Sequence, residues 1–564
     1  MVRRRRAPLC RAVDVVTVLL SISSFSSCVN EAAAWIIRSP LVISPSPMIR
    51  TQELRMTATT TANPTARVPL VDATTDTVNN IRPSSTVIIG GGPTGIFTAL
   101  MLARKGYKGI TVLERLAEPP PPASSEWGNP ERSYNLGIGG RGQVALAKIG
   151  AAGRVFSWCA EAVGRRDWSP QAPEGSERIF SERKFQTKVI ARDRLASCLL
   201  EEAREAHPNA VSFRFGVECT AVKWLEPEGG TGGTLTLTEN ALNGAETSEL
   251  TAEFVIAADG VRSEVRDALE RDRELTKALS GSELLVNRFP RRNEFVYKVV
   301  PFRLDSSWRR RHSTFDFSAQ HRTKEDINLE ALPTKEGMQV GVLLFRPDNQ
   351  RVLGIKTAAD ARALFQELFP QFADVVTDEA YEKLARQKVS RLPAFSYAGP
   401  VLHLGKSAVL LGDAIKSVKP YFGLGVNSAF EDCMELDRCL EEAGNDLSVA
   451  LPKYSNARAP EAKDLVELSR GFDRTGVAGL FGFVLPLVLD SIFHGAAPWL
   501  FAPNTISILQ NPGMTFRQIR LRKALDRFMQ GAVLATAGVA AFSAVRLILA
   551  LVGPSILSAF ASRA

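Results

Sequence analysis

The run Val87-Ile88-Ile89-Gly90-Gly91-Gly92-Pro93-Thr94-Gly95 constrains this chain more than any other, because an apolar strand, a GxGxxG turn and the helix-forming stretch Ile96 to Lys105 follow one another without a gap. Gly90 permits the tight turn, Gly92 lets backbone approach a pyrophosphate, and Gly95 allows close helix–strand packing. The phosphates would rest, beside Pro93, on the positive end of the helix. Glu114 follows at the end of the next strand with Arg115 beside it, the place where an acid binds the ribose hydroxyls of an adenosine. Thr86 to Arg115 therefore opens a βαβ nucleotide-binding fold. The turn by itself admits NAD as readily as FAD.

Two later segments choose FAD. Glu253 to Arg266 reads E-F-V-I-A-A-D-G-V-R-S-E-V-R, an apolar strand ending in Asp259-Gly260. Ala408 to Asp432 reads A-V-L-L-G-D-A-I-K-S-V-K-P-Y-F-G-L-G-V-N-S-A-F-E-D, again an apolar strand ending in an acid, Gly412-Asp413, then a Pro/Gly loop and an amphipathic helix. A carboxylate at Asp413 can accept hydrogen bonds from ribityl hydroxyls. The loop Pro420 to Gly425 lets backbone lie flat against an aromatic ring system. The helix beginning near Gly425, with Val426 and Asn427 in its first turn, aims its positive end at the pyrimidine side of a flavin, where reduction places negative charge. Each piece is common singly; in this order they specify an FAD site of the glutathione-reductase-like fold.

At 564 residues, 45% hydrophobic and 23% charged, the chain can build more than one large core. The expected class is α/β, an α+β two-domain flavoprotein with an inserted β-sheet substrate domain and a C-terminal helical membrane-anchoring region. We expect a targeting leader and linker over 1–82, the first part of the FAD-binding domain over 83–275, the mainly β-sheet substrate domain over 276–395, the last part of the FAD-binding domain over 396–460 and the helical region over 461–564. Asn135 to Ala206 reads as mostly helical, Ala210 to Ala258 and Leu284 to Ile355 as β-rich, and Ala358 to Leu368 as a helix.

Much of the net charge of +9 lies in the leader and in Arg517, Arg520, Arg522, Lys523 and Arg527, ahead of the apolar run Phe528 to Val545. A membrane surface fits that distribution better than nucleic acid. At about 1.5 Å per residue the run nearly crosses a hydrocarbon core of roughly 30 Å, so a transmembrane segment over about 528–552 is expected, with the catalytic body on the side of the cations. A buried hairpin is the alternative. Arg3 to Arg6, the apolar stretch Val15 to Phe25 and Ala32-Ala33-Ala34 before Trp35 follow signal-peptide grammar, and the Ser/Thr/Ala/Pro-rich chain to Arg82 reads as a transit peptide. A plastid address and a mitochondrial presequence both fit. Seven scattered cysteines without CxxC read as reduced structural thiols, and five histidines without HExxH spacing give no metal centre.

The chain resembles the class A flavin monooxygenases and, among them, the kynurenine 3-monooxygenase family. Arg132-Ser133-Tyr134-Asn135-Leu136 with Arg141-Gly142 and Ala145-Leu146 is similar to that family's RSxNLxxxxRGxxAL signature, and Arg192 with Leu195 to its flavin-contacting RxxL helix. Pro420-Tyr421-Phe422-Gly423-Leu424-Gly425-Val426-Asn427 with Phe430-Glu431-Asp432-Cys433 is similar to its PFFGQGMN…FEDC run. The resemblance implies bound FAD, NAD(P)H as a transient reductant without a nucleotide fold of its own, and O2 as the oxidant that hydroxylates a small aromatic or apolar substrate. It also implies flavin contacts from Arg141 and Arg192, a reacting face formed by Pro420, Gly423 and Gly425, and a substrate pocket that includes Tyr421 and Phe422. In that family an arginine, a tyrosine and an asparagine hold a substrate carboxylate. Here Arg165 or Arg166 supplies the first, Asn427 the third, and Phe180 stands at the tyrosine position. Leu424 and Lys416 replace a glutamine and a histidine of the family pattern, which makes the rim less polar and puts a cation near it. Kynurenine and a more apolar aromatic both remain open as substrate. A reductase or epoxidase of an isoprenoid, and a non-catalytic membrane flavoprotein, are the rival readings.

Overall fold

The computed structural model describes residues 82–124, 134–170, 172–180, 184–225, 231–241, 244–291, 294–304, 317–420, 423–473 and 476–561, with side chains as far as 547. All of the expected leader but Arg82 lies outside the described residues, as do Arg132, Ser133, Tyr421 and Phe422.

Thr86–Ile89, buried along its whole length, occupies the interior of a six-stranded sheet. A strand covered on both faces needs a nearly continuous apolar run, which Val87 to Ile89 supplies. Ile110–Glu114 and Phe254–Ala257 flank it in parallel, and Ala408–Leu410 pairs in parallel with Phe254–Ala257. This register brings the glycine turn after Ile89, Asp259 and Asp413 to one edge of the sheet, outside the carboxyl ends of its strands. Open α/β sheets bind their ligands there.

A second, seven-stranded sheet runs in the order Ser390–Arg391, Val296–Arg303, Met338–Phe345, Asn328–Pro333, Phe317–His321, Gly164–Ser169, Ala172–Ile179. One face carries Val296, Val300, Phe302, Phe317, Leu343 and Phe345 into a core shared with the helices Ala358–Leu368 and Asp378–Arg386. The helix expected at Ala358–Leu368 is present, closed at its start by reciprocal bonds between Thr357 and Asp360. Following the register from strand to strand, Tyr297, Arg165 and Arg178 share the opposite face.

The mostly helical reading of Asn135 to Ala206 is corrected. Helices cover Gly140–Lys148, Ala152–Ser157 and Arg192–Ala206, but Asn135–Ile138, Ala160–Ala162, Gly164–Ser169, Ala172–Ile179 and Thr187–Ala191 are strands. Gly164–Ser169 and Ala172–Ile179 form an edge hairpin rich in Arg, Glu, Ser and Gly, with little apolar alternation to reveal a period of two. Its sheet partner Phe317–His321 lies some 150 residues downstream, beyond the reach of local pattern.

Beyond Leu447–Gly471 the chain is helical, through Leu485–Ala496 and Thr505–Leu509 to Phe516–Ala561. Two stretches, Val477–Ala496 and Phe516–Leu547, are long and apolar enough to cross a membrane; the first was not expected. The start of the last helix is docked: Phe516 and Ile519 are buried with Leu424, Leu465, Ile508 and Leu509, and the Glu461 carboxylate accepts the amides of Phe516 and Arg517. Most of the basic stretch proves to be paired with acids. Arg520 meets Asp464 and Glu467, Arg522 meets Asp526, and Lys523 and Arg527 meet the buried Asp490. From 531 to 547, by contrast, every residue is exposed.

Candidate functional site

The glycine turn is built to leave backbone exposed to a ligand. Gly90 sits at φ 103° with room for no side chain, since a Cβ would lie 2.3 Å from the Ala258 carbonyl oxygen. A Cβ on Gly95 would fall 1.9 Å from the Gly90 oxygen. Gly92 differs: a Cβ there would meet only the Arg192 guanidinium, at 3.2 Å. The helix Pro93–Arg104 starts at Gly92 without a side-chain cap, so its first amides remain available to an anion. Glu114 accepts the Gly91 amide at 2.8 Å and the Leu116 amide at 2.9 Å. These bonds fix the carboxylate and leave lone pairs for ribose hydroxyls. Arg115 is exposed beside it.

The two strand-end aspartates carry unused acceptor capacity. Asp259 accepts the Glu264 amide through Oδ2 at 2.9 Å, while its buried Oδ1 has no hydrogen-bond partner among the described residues. Burial pushes this carboxyl up to about 6. Gly260 beside it has φ 81° and open space where a Cβ would stand. Asp413 is enclosed by protein yet reachable by solvent, and no donor among the described residues bonds to it. Enclosure pushes its carboxyl up, and the nearby Lys416 and Arg192 oppose that. Tyr134 shares this character: it is 41% exposed, yet enclosure raises its hydroxyl, which feels Arg192, Asp413 and Tyr297. Tyr134, Arg192, Asp413 and Tyr297 therefore lie near enough to influence one another's charge, where the end of the nucleotide-binding sheet approaches the Tyr297 face of the seven-stranded sheet. Asn135, next to Tyr134, belongs to a separate three-stranded sheet with Thr187–Ala191 and Ala160–Ala162 and ties it to the seven-stranded sheet by donating to the Leu332 carbonyl at 3.2 Å. Neither Tyr134 nor Tyr297 stands out from sequence alone: the first sits inside the RSYNL run, the second in an ordinary strand.

The described ends of the loop ahead of the helix Leu424–Glu442 are Pro420 and Gly423. Gly423 is left-handed, at φ 61°, and the helix has no side-chain cap. Pro420 is exposed, and nothing lies within 4 Å of where a Cβ on Gly425 would be. Val426 packs against the main core.

Several expected site residues turn out to hold this loop in place. Asn427, expected to hold cofactor and substrate, is 1% exposed. It accepts the amides of Gly139 (2.9 Å) and Gly142 (3.1 Å) and donates to the carbonyls of Gly137 (2.9 Å) and Gly423 (2.5 Å). Both donor hydrogens are therefore engaged, and the side chain is a clamp. Arg141, expected on the flavin, bonds Leu509 O at 2.9 Å, Met514 O at 2.6 Å and the Glu431 carboxylate, and lies over the Phe516 ring. It joins the C-terminal helices to the loop helix. Leu424 is buried in the C-terminal cluster instead of on a pocket rim. Lys416 is buried too, and its ammonium pairs with Asp432.

On the second sheet the register separates the two candidate arginines. Arg165 shares the Tyr297 face, 2.8 Å from Asp167. Arg166 points the other way, where it pairs with Glu177 and stacks on Trp168. Phe180 is half-buried at the hairpin's end, its amide bonded to Val163 O at 2.8 Å.

Two uncapped helix starts, an orphaned buried Asp259 oxygen, an enclosed unbonded Asp413 and open space over Gly260 and Gly425 fit FAD. Fold and site together define a class A FAD-dependent monooxygenase. Residues 84–296 match the FAD binding domain family. The fold is shared with 2-methyl-3-hydroxypyridine-5-carboxylic acid oxygenase (TM-score 0.52, 20% identity, 71% of this chain and 95% of that one). It is shared as well with p-nitrophenol 4-monooxygenase from Pseudomonas putida DLL-E4 (TM-score 0.51, 16% identity, 79% and 97%). A kynurenine 3-monooxygenase of Salinispora arenicola is 30% identical over 400 residues, 69% of this chain and 79% of that protein. That of Sus scrofa is 25% identical over 460 residues, 80% and 88%. The chain belongs to the kynurenine 3-monooxygenase family. It is an FAD-dependent oxidoreductase with NAD(P)H as reductant.

Proposed function

We propose that this chain hydroxylates an aromatic ring that carries a carboxylate, with kynurenine the first substrate to test and a more apolar aromatic the second. The observation that carries the proposal is the approach of Asp413 and Arg192, on the cofactor side, to Tyr134 and Tyr297, the latter on the sheet face that also carries Arg165. FAD held there would supply the redox chemistry, with NAD(P)H as the source of two electrons and O2 as the oxidant, one oxygen atom entering the ring and the other leaving as water. The chain's part is to bind, orient and enclose. The glycine turn and the start of Pro93–Arg104 hold the pyrophosphate, with Glu114 and Arg115 at the adenosine. Asp259, Asp413 and Arg192 face the rest of the cofactor. The backbone of Pro420, Gly423 and Gly425 lines the reacting side, and Arg165 draws the carboxylate. Asn427 has no donor left for that carboxylate and Phe180 has none at all, so the pocket offers fewer polar contacts than the family pattern. This favours substrates with more apolar bulk.

The exposed helix beyond Gln530, within the expected 528–552, anchors the protein in an organelle membrane, of plastid or mitochondrion. The division at 83, 276, 396 and 461 belongs to the same proposal.

The test is a screen of carboxylated aromatics for acceleration of NAD(P)H oxidation, with O2 uptake and hydroxylated product measured together. Arg165→Ala should raise KM for carboxylate substrates about tenfold, the worth of about 1.4 kcal/mol, and leave FAD content unchanged. Substrate-coupled NAD(P)H oxidation that continues without O2 would sink hydroxylation in favour of a reductase.

A further inference from the structure

We propose that the helical stretch Val477–Ala496 lies along the membrane surface without crossing it, so that Val477, Phe481, Ile492 and Trp499, with Leu521 and Phe528, form a lipid-contact face around the base of the anchor. The inference rests on the anchor reading for the helix beyond Gln530.

By length and composition the stretch could span, but both of its halves are tied to the body. Phe483 packs edge-on against Phe472, at the end of the helix Leu447–Gly471, with centroids 4.9 Å apart. Asp490, wholly buried, accepts both Arg527 nitrogens at 2.8 and 2.9 Å, with the Lys523 ammonium 3.2 Å away. Phe493 stacks on Phe501 at 4.9 Å, and Lys523 donates to Ala502 O at 3.2 Å. Spanning requires about 20 residues free to pass through hydrocarbon. The stretch is held near its start by the end of Leu447–Gly471, in its middle by the base of the last helix, itself docked through Phe516 and Ile519, and at its end by Phe501.

The side turned away from these contacts is bare and apolar. Val477 is 73% exposed, Phe481 63%, Ile492 52% and Trp499 83%. On the last helix, Leu521, Leu525 and Phe528 form an i, i+4, i+7 stripe opposite the buried Ile519, Lys523, Asp526 and Gln530. That stripe runs without interruption into 531–547, where every residue is exposed. Continuity with the anchor makes lipid the occupant. Trp499 supplies the amphipathic ring that favours the headgroup level. With Arg520, Arg522, Lys523 and Arg527 paired to acids, the attachment is apolar, so neutral phosphatidylcholine is a sufficient partner.

Depth measurement decides it. The full chain, reconstituted in phosphatidylcholine vesicles, carries a nitroxide at Val477→Cys, Phe481→Cys, Ile492→Cys or Trp499→Cys, with Val539→Cys as reference and retained FAD as the check on folding. Expected is one shallow depth at all four sites, roughly 5–10 Å into the interface, with Val539 deeper. A depth that changes by about 1.5 Å per residue between 477 and 492 would make the stretch a second span and overturn the proposal. Aqueous readings at all four sites with Val539 deep would also overturn it and assign the face to a protein partner. Shallow readings at the four sites with Val539 in water would remove the anchor reading and leave the lipid-contact face standing.

Discussion

Asp413 and Asp432 stand in the same part of the fold, but Asp432 is wholly buried while Asp413 sits in an enclosure that solvent reaches, and their partners are opposite. Asp432 is fully compensated: it accepts the Gly412 amide at 3.1 Å and Arg458 Nε at 2.8 Å, and it pairs with Lys416. Asp413, one residue beyond that anchored Gly412, has no bonding partner among the described residues. The first is a knot that fixes the strand end, and the second is the group the knot presents. A buried charge that has every partner it needs marks architecture; an enclosed charge left open marks the place of a ligand.

The contrast can be broken most forcefully at Asp432. Asp432→Asn keeps an acceptor for Gly412 but strands Lys416 and Arg458, and should cost about 3–5 kcal/mol of stability in urea denaturation; a loss below about 1 kcal/mol would show that the knot does not hold the fold. Asp413→Asn should instead weaken FAD binding about 10- to 100-fold, the worth of a charge-assisted hydrogen bond, measured by fluorescence titration of the apoprotein. That apoprotein should be no less stable than wild type at neutral pH. Enclosure raises the Asp413 carboxyl above its ordinary value, so the wild type bears a charge penalty above the raised pKa. The penalty is relieved as pH falls through that value towards the unfolded one. Any stability advantage of Asp413→Asn should therefore shrink on acidification; an advantage that grew would reverse the assignment. Smallest is Gly425→Ala, which should stabilise the apoprotein by up to about 1 kcal/mol as a helix substitution while weakening FAD binding. Unchanged FAD affinity would move the cofactor away from that helix start.

The local features were legible in the sequence. The glycine turn, the two strand-end acids and the capped helix after Thr357 are specified by neighbours within a few residues, and they stand where the pattern put them. What sequence could not show is what each side chain does once distant segments meet. Asn427 and Arg141 read as ligands because they lie in cofactor motifs, yet their partners Gly139, Gly142, Leu509 and Met514 are 285 or more residues away. Lys416 read as a rim cation because nothing local announces that it and Arg458 converge on Asp432. Tyr297 comes near Tyr134 only through the packing of segments far apart in sequence.

The Arg141 joint also sets an order of events in biogenesis. Met514, which completes its bonds, is 373 residues later in the chain, and at about 5–20 residues per second the wait is roughly 20–75 s. Until then the loop helix that carries Glu431 has no brace on its outer side, although the glycine turn is already made. The joint between the loop helix and the C-terminal helices therefore closes only after nearly the whole chain has been made.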